Sequence, residues 1–365
     1  MIRMNDFGSE PEELRSAEME AITRVLASGR FILGPEGEKF QSAWADFCGT
    51  DFCVGVANGM EALELGLRAL EIGADDEVIT TPVTAIATVM AITRAGATPV
   101  LADIEPGTAL LDRASVERCL TSQTKAVLLV HLYGQLADME NWIALCERTK
   151  IHLLEDAAQA HGASRMGKRA GAFGEWAAFS FYPTKNLGAK GDAGALVMNS
   201  AALAERVTTL RNYGSRDRYE HTETGMNSRL DELQACILRA RLPYLKPFNV
   251  RRQEIAARYR AEINNPQIEL LSPPDDAAGH VYHLFVIHCR ERDRLSNFLK
   301  ERGIETLIHY PIPAHRQEGC RDIRIDPEGL PNAERHAAHC LSIPCHPQLR
   351  DEQVTAILAA LNDFA

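Results

Sequence analysis

A chain of 365 residues, 45% of them hydrophobic, can bury a large core and exceeds the usual size of one domain, so two domains are expected. A formal net charge of -11 provides no basic face for nucleic acid and leaves open only a local basic pocket for a phosphorylated small molecule. The start, MIRMNDFGSEPEEL, lacks a signal-peptide apolar run, and no stretch reaches the roughly 18 apolar residues of a membrane span, so a cytoplasmic protein is expected.

From about Val54 to Val197, short β-rich runs alternate with helical patterns. The runs are CVGVAN, EVITTP, TPVLADI, KAVLLVHL, IHLLEDAA, WAAFSFYP and GALVMN. Continuous apolar runs, rather than strict alternation, suit strands covered by helices on both faces, which predicts an α/β domain around a mostly parallel seven-stranded sheet. Between the runs, Leu63, Leu67 and Leu70 share one helical face, and Met139, Trp142, Ile143 and Cys146 share another, with Asp138 as its cap.

A helical stretch from about Asp231 to Leu245 meets the breaker region Pro243 to Pro247, and the charged helix NVRRQEIAARYRAEI follows. This puts a large domain at 1–245, including an N-terminal arm, and a smaller α+β domain at 246–365. The smaller unit is expected to contain a strand at VYHLFVIHC, a helix at RDRLSNFLKERG, a strand at ETLIHYP and a terminal helix at DEQVTAILAALNDF, in which Val354, Ile357, Leu358 and Leu361 share a face. The nine cysteines form no CxxC pair and read as reduced, mostly buried thiols, so neither a disulfide framework nor a metal site is expected.

Open α/β sheets bind ligands beyond the carboxyl ends of their strands, and four candidate pieces fall there. Asn58-Gly59-Met60 joins a strand to a helix, where free amides suit a phosphate; a plain turn reads equally well. Asp156, with Gln159 after it, can favour a protonated pyridine nitrogen, or simply cap a helix. Lys185, with Ser180 before it, follows directly from a strand end, whereas Lys190 lies inside a glycine-rich loop. The fourth piece is GMNSRLDELQA with the preceding RNYGSRDRY: Asn227 and Arg229 are polar residues in a loop just before an apolar helix, and Arg216 and Arg218 can pair with phosphates, or the stretch is a solvated loop with a helix cap.

A lysine delivered by one strand and a carboxylate at the end of an earlier one can hold a pyridoxal ring, so pyridoxal phosphate (PLP) chemistry is expected. The segment from Gly188 to Gly194 fits neither GxxxxGK[ST] nor the dinucleotide fingerprint.

The motifs SGRFILGPEGEKF, ANGMEALELGLRAL, GQLADM, EDAAQAHG, FSFYPTKNLGAKGDAG, GMNSRLDELQA, IHYPIPAHRQ and LSIPCHP span nearly the whole chain. With them the sequence resembles the DegT/StrS-type sugar aminotransferases, PLP enzymes of the type I aspartate aminotransferase fold. The resemblance implies a homodimer with shared active sites, in which the lysine matching Lys185 carries the cofactor. The aspartate matching Asp156 would pair with the ring nitrogen, and the glutamine matching Gln159 would lie near the ring oxygen. The phosphate would be held by Ser180, by the backbone at Gly59 and Met60, and by Asn227 from the other subunit.

Two departures stand out. Met60 occupies the place of a family threonine, so a hydroxyl contact is lost while the amide remains. Ala85 occupies the place of an aromatic residue stacked on the ring, a loss of about 0.5 to 1.5 kcal/mol. Another group, such as Ile86 or a bulkier substrate, can fill that space.

RNYGSRDRY and IHYPIPAHRQ are most similar to enzymes acting on dTDP-linked 3-keto-6-deoxyhexoses. Arg218 replaces a lysine before Tyr219 and keeps its charge, while His309 and Tyr310 would meet the sugar. The expected reaction moves an amino group from glutamate to a keto sugar nucleotide through pyridoxamine phosphate. A 4-keto substrate is one alternative, and a non-catalytic ligand-binding regulator of the same fold is another.

Overall fold

Helices α1 (Glu12–Ser28) and α2 (Pro35–Cys48) precede the sheet. The computed structural model describes residues 1–217 and 219–365. Strands and helices then alternate: β1 (Phe52–Val56), α3 (Gly59–Ala69), β2 (Glu77–Thr80), α4 (Ala87–Arg94), β3 (Thr98–Leu101), α5 (Arg113–Cys119), β4 (Thr124–Val130), α6 (Met139–Thr149) and β5 (His152–Asp156). A small hairpin, β6 (Ser164–Arg165) with β7 (Lys168–Arg169), leads to β8 (Ala177–Ser180) and β9 (Gly194–Met198). Next come α7 (Ala201–Leu210), β10 (Ser215–Asp217), β11 (Glu220–His221) and α8 (Glu232–Glu262). The chain ends with β12 (Ile268–Leu270), β13 (Phe285–Cys289), α9 (Arg292–Glu301), β14 (Arg324–Ile325), α10 (Pro331–His339), β15 (Cys340–Ile343) and α11 (Asp351–Asn362).

All seven apolar runs become strands of one sheet, in the order β1-β9-β8-β5-β4-β2-β3-β14. The sheet is therefore eight-stranded, because β14 from the C-terminal part adds to the edge in parallel, Arg324 opposite Val100. Only β9 runs against its neighbours, β1 and β8. Both faces are covered, which is why the runs do not alternate: on β4, Val127 and Leu129 enter one core while Ala126 and Leu128 enter the other. A third core, around Ile255, Phe285, Leu341 and Val354, belongs to the C-terminal part.

Several local expectations need correction. The helix thought to break at Pro243 to Pro247 is one continuous α8 with both prolines inside it. Its buried stripe, Leu238, Arg241, Leu245, Asn249, Arg252, Ala256 and Tyr259, runs straight through them, so packing on both sides outweighs the lost hydrogen bonds. ETLIHYP forms no extended strand; only Leu307 pairs, in an isolated bridge with Ser342. Asp138 starts α6 without capping it, its carboxylate instead taking hydrogen from Asn141 at 2.6 Å and facing Arg165 at 3.3 Å. The first residues lie on the C-terminal part, where the Met4 amide donates to Glu305 at 2.8 Å. All nine cysteines are unpaired, and eight of them are buried.

Candidate active site

The strand order gathers the candidate residues at the carboxyl edge of the sheet. Asp156 ends β5, Ser180 ends β8, and Gly59 opens α3 just beyond β1. Asn58 caps α3, its side chain accepting the Glu61 amide at 2.9 Å, so the first amides of the helix stay available. Gly59 fits tightly: a Cβ there would lie 2.6 Å from the Ser180 Cβ. Gly194 is equally constrained, since a Cβ would meet the Asn58 carbonyl carbon at 2.4 Å. Glycines at both places let a strand end, a helix start and the Ser180 hydroxyl close into one cup.

Asp156 is buried, and its carboxylate accepts the Thr88 hydroxyl at 2.8 Å and the Ala158 amide at 3.2 Å. Burial raises its pKa; those two donors and the charge of Lys185 oppose the rise. Lys185 follows β8 in a turn closed by its own amide on the Tyr182 carbonyl at 2.9 Å. It keeps some accessible surface, but desolvated surroundings push its amine down to about 8, with the Asp156 carboxylate opposing. Such an amine is neutral often enough near neutral pH to act as a nucleophile and proton carrier. The competitor Lys190 is occupied, pairing with Glu10 at 3.0 Å and Glu18 at 3.6 Å.

Gln159 is buried beside them, accepting the Tyr133 amide at 2.6 Å and donating to the Tyr310 hydroxyl at 3.2 Å. Burial pushes Tyr310 up to about 12. His309 is held by Ser342 at 2.8 Å, and burial together with the nearby Lys185 charge pushes it down to about 4, so its ring is neutral. Asp156, Gln159, Lys185, His309 and Tyr310 therefore form one connected group.

Met60 is half-buried against the core under α3, Ala85 is half-buried just before α4, and Ile86 is partly exposed. Asn227 is exposed, its backbone bridged to Asn212, and within this chain its side chain makes no hydrogen bond to a described residue. Its neighbour Ser228 accepts the Ala57 amide at 3.2 Å. Tyr219 is 84% exposed near Glu220 of β11, and Arg218 lies outside the described residues. Arg229 donates to Asn212 at 3.0 Å and lies over the Tyr213 ring.

Several residues at the site escaped the sequence reading. Thr88 anchors Asp156 and bonds Thr84 at 2.9 Å, so α4 delivers one hydroxyl to the carboxylate and Thr84, just before the helix, steadies it. Glu155, next to Asp156, turns away to His131 and to the amides of Gly171, Phe173 and Gly174, each at 2.9 Å. Asn186 bonds Asn249 at 2.8 Å, the Val281 carbonyl at 3.0 Å and His283 at 3.2 Å, fixing the residue after Lys185. The EDAA run marks the carboxylates; no local signal marks the threonines or Tyr133.

A desolvated lysine and a buried carboxylate at the carboxyl edge of a mostly parallel sheet fit an aminotransferase of the aspartate aminotransferase fold. Residues 12–362 match the DegT/DnrJ/EryC1/StrS aminotransferase family, and the chain belongs to it. It is 47% identical over 363 residues to a dTDP-3-amino-3,4,6-trideoxy-alpha-D-glucose transaminase of Streptomyces venezuelae, covering 99% of this chain and 95% of that protein. It is also 47% identical over 345 residues to a dTDP-3-amino-3,6-dideoxy-alpha-D-galactopyranose transaminase of Aneurinibacillus thermoaerophilus, covering 94% of each. Among solved structures, S. venezuelae DesV in complex with a ketimine intermediate superposes with a TM-score of 0.95 at 46% identity, covering 99% of this chain and 98% of that one.

Proposed function

We propose that this aminotransferase uses PLP, cycling through pyridoxamine phosphate, to move an amino group from glutamate to a keto sugar nucleotide, and that the acceptor is a dTDP-3-keto-6-deoxyhexose. The observation that carries the reading is the pairing of the desolvated Lys185 amine with the buried Asp156 carboxylate beside a glycine-lined cup. The two transaminases at 47% identity both make dTDP-3-amino sugars, which supports the acceptor.

The residues fit such a cofactor. A cup that a Cβ at Gly59 would fill, with helix-start amides and the Ser180 hydroxyl, suits a phosphate. A buried carboxylate whose pKa stays raised by desolvation, although Lys185 and His131 oppose the rise, suits a protonated ring nitrogen. When bound, PLP accepts the amino group and withdraws electrons from the carbon that loses its proton. Lys185 would hold the cofactor and, when free of it, would carry that proton; an amine with a pKa of about 8 can both take and return it. Asp156 would hold the opposing charge, Gln159 would offer its NH2 group to the cofactor, and the neutral His309 ring and Tyr310 hydroxyl would orient the sugar. Arg218 and Tyr219 would meet the diphosphate.

The same proposal covers assembly and place. The enzyme is a homodimer in which Asn227 completes the partner's phosphate cup, and it works in the cytoplasm; no helix among the described residues is long and apolar enough to cross a membrane. The division into 1–245 and 246–365 rests on the separate core around Phe285 and Leu341, although α8 spans the boundary.

The test presents the pyridoxamine form with a panel of 3-keto and 4-keto sugar nucleotides and follows the return of the PLP spectrum. Response to 3-keto sugars is expected. An exclusive response to 4-keto sugars overturns the acceptor, and a protein that binds PLP but never turns over overturns the reaction.

A further inference from the structure

Gln159 has two chemically different ends, and only one of them can donate a hydrogen bond. Which end faces Tyr310 is decided by the backbone N–H of Tyr133, which can only donate and so requires Gln159 Oε1, 2.6 Å away. The NH2 end is left for the Tyr310 hydroxyl at 3.2 Å and the space beside it.

That N–H is presented by an uncommon backbone. Tyr133 has φ 60° and ψ 3°, a left-handed conformation that side-chain-bearing residues seldom adopt, between His131 and Gly134. Something must hold it there, and the buried tyrosine side chain is the tie. Its hydroxyl contacts the His309 carbonyl and lies 2.7 Å from His336 Nε2.

The direction of this network follows from its end. A carbonyl only accepts, so Tyr133 donates its single hydrogen to His309 O. His336 Nε2 must then carry a hydrogen and donate to the Tyr133 oxygen. His336 Nδ1 is left bare and accepts from His288 Nε2 at 2.9 Å. Burial and the neighbouring charges push His336 down to about 3, so the ring keeps this neutral tautomer at working pH. The hydroxyl thus joins three parts of the chain: the turn after β4, the segment carrying His309 and Tyr310, and α10.

We propose that Tyr133 is a positioning residue for the reaction: its hydroxyl, tied to His336 and the His309 carbonyl, holds the turn whose N–H points the NH2 end of Gln159 at Tyr310 and the cofactor. The inference rests on the reading of Gln159 as a partner of the bound cofactor. Losing the hydroxyl lets the turn relax and frees both the Gln159 amide and the 309–310 segment, with no atom removed from the site itself.

The test compares Tyr133→Phe, Gln159→Leu and the double variant in purified PLP-loaded protein. The readout is the pH midpoint of the visible absorbance of the lysine-bound cofactor. A donor to the ring oxygen draws off charge that otherwise stabilises the protonated lysine–cofactor linkage, so its loss raises the midpoint. Tyr133→Phe is expected to raise the midpoint by about one pH unit, a tenfold change in proton affinity. Gln159→Leu is expected to give the same shift, and the double variant no more than either single one. A wild-type midpoint in Tyr133→Phe, whatever its melting temperature, overturns the positioning role. An unshifted midpoint in Gln159→Leu instead overturns the assignment of Gln159 to the cofactor, and the inference falls with it. If Tyr133→Phe fails to fold, His336→Leu removes one of the two ties; a smaller upward shift supports the proposal and none overturns it.

Discussion

Glu155 and Asp156 are consecutive residues of β5 whose carboxylates serve opposite faces of the sheet. Glu155 is saturated by His131 and three loop amides, while among the described residues Asp156 receives hydrogen bonds only from Thr88 and Ala158. Burial raises both carboxyls, yet the donors hold Glu155 below its ordinary pKa and leave Asp156 above it. One carboxylate is tied into the fold, and the other keeps fewer partners, as the proposed cofactor contact requires.

The pair predicts separable phenotypes. Glu155→Ala strands three loop amides and His131, and is expected to cost on the order of 3 kcal/mol or more. Asp156→Asn removes an under-compensated buried charge, so stability holds or rises while turnover falls on the order of 100- to 1,000-fold. Denaturant midpoints and glutamate half-reaction rates check both. A stable, active Glu155→Ala protein would contradict the division of roles.

Lys185 predicts a pH dependence in the apo protein. Only the neutral amine attacks an aldehyde, so the rate of PLP capture should rise about tenfold per pH unit below pH 8 and level off above it. The folded pKa lies below the ordinary lysine value of 10.5, so the unfolded chain holds the proton more tightly. Stability from this group is therefore withheld below about pH 8 and recovered as pH rises towards 10.5. Lys185→Ala should abolish capture; stopped-flow absorbance reports both.

Buried histidines predict acid lability. His161, His280 and His336 are pushed down to about 3, and His309 and His346 to about 4, chiefly by burial. All lie below the ordinary 6.5, so the unfolded chain takes up protons first as pH falls. Their stability contribution is complete above 6.5 and lost below it, by about 1.4 kcal/mol per pH unit for each ring once the unfolded form is charged. Equal denaturant midpoints at pH 7 and pH 5 would count against this account.

Gly59 predicts a phosphate-specific defect. A Cβ 2.6 Å from the Ser180 Cβ must displace one wall of the cup, so Gly59→Ala should weaken PLP binding at least tenfold. Pyridoxal, which lacks the phosphate, should lose little. Equal losses for the two ligands would show that the cup does not hold the phosphate.

Legibility in the sequence followed the length scale of each signal. Asp156, Ser180 and Lys185 stand at the ends of apolar runs, so a local pattern placed them at the correct edge of the sheet. The buried stripe of α8 did not read as a face because Arg241, Asn249 and Arg252 interrupt it, and each is held by distant partners: Arg241 by Glu10 and Glu18, Asn249 by Asn186 and the His161 carbonyl, and one Arg252 Nη by the carbonyls of Tyr282 and Cys345. Thr88 and Tyr133 act through contacts 68 and 26 residues away, which no spacing encodes.

Asn227 carries the last prediction, on assembly. It is exposed in one chain, and in the proposed dimer it completes the partner's cup. Lys185→Ala and Asn227→Asp, which sets a carboxylate against the phosphate, should each be inactive alone. In a mixed dimer one site then carries both defects and the other carries neither. Statistical mixing makes half the dimers mixed with one intact site each, so activity should return to about one quarter of wild type. Denaturing and refolding the two variants together measures it. Recovery near one quarter places Asn227 in the partner's site. If no activity returns although mixed dimers form, Asn227 serves its own chain, through the loop that sets Ser228 on the Ala57 amide.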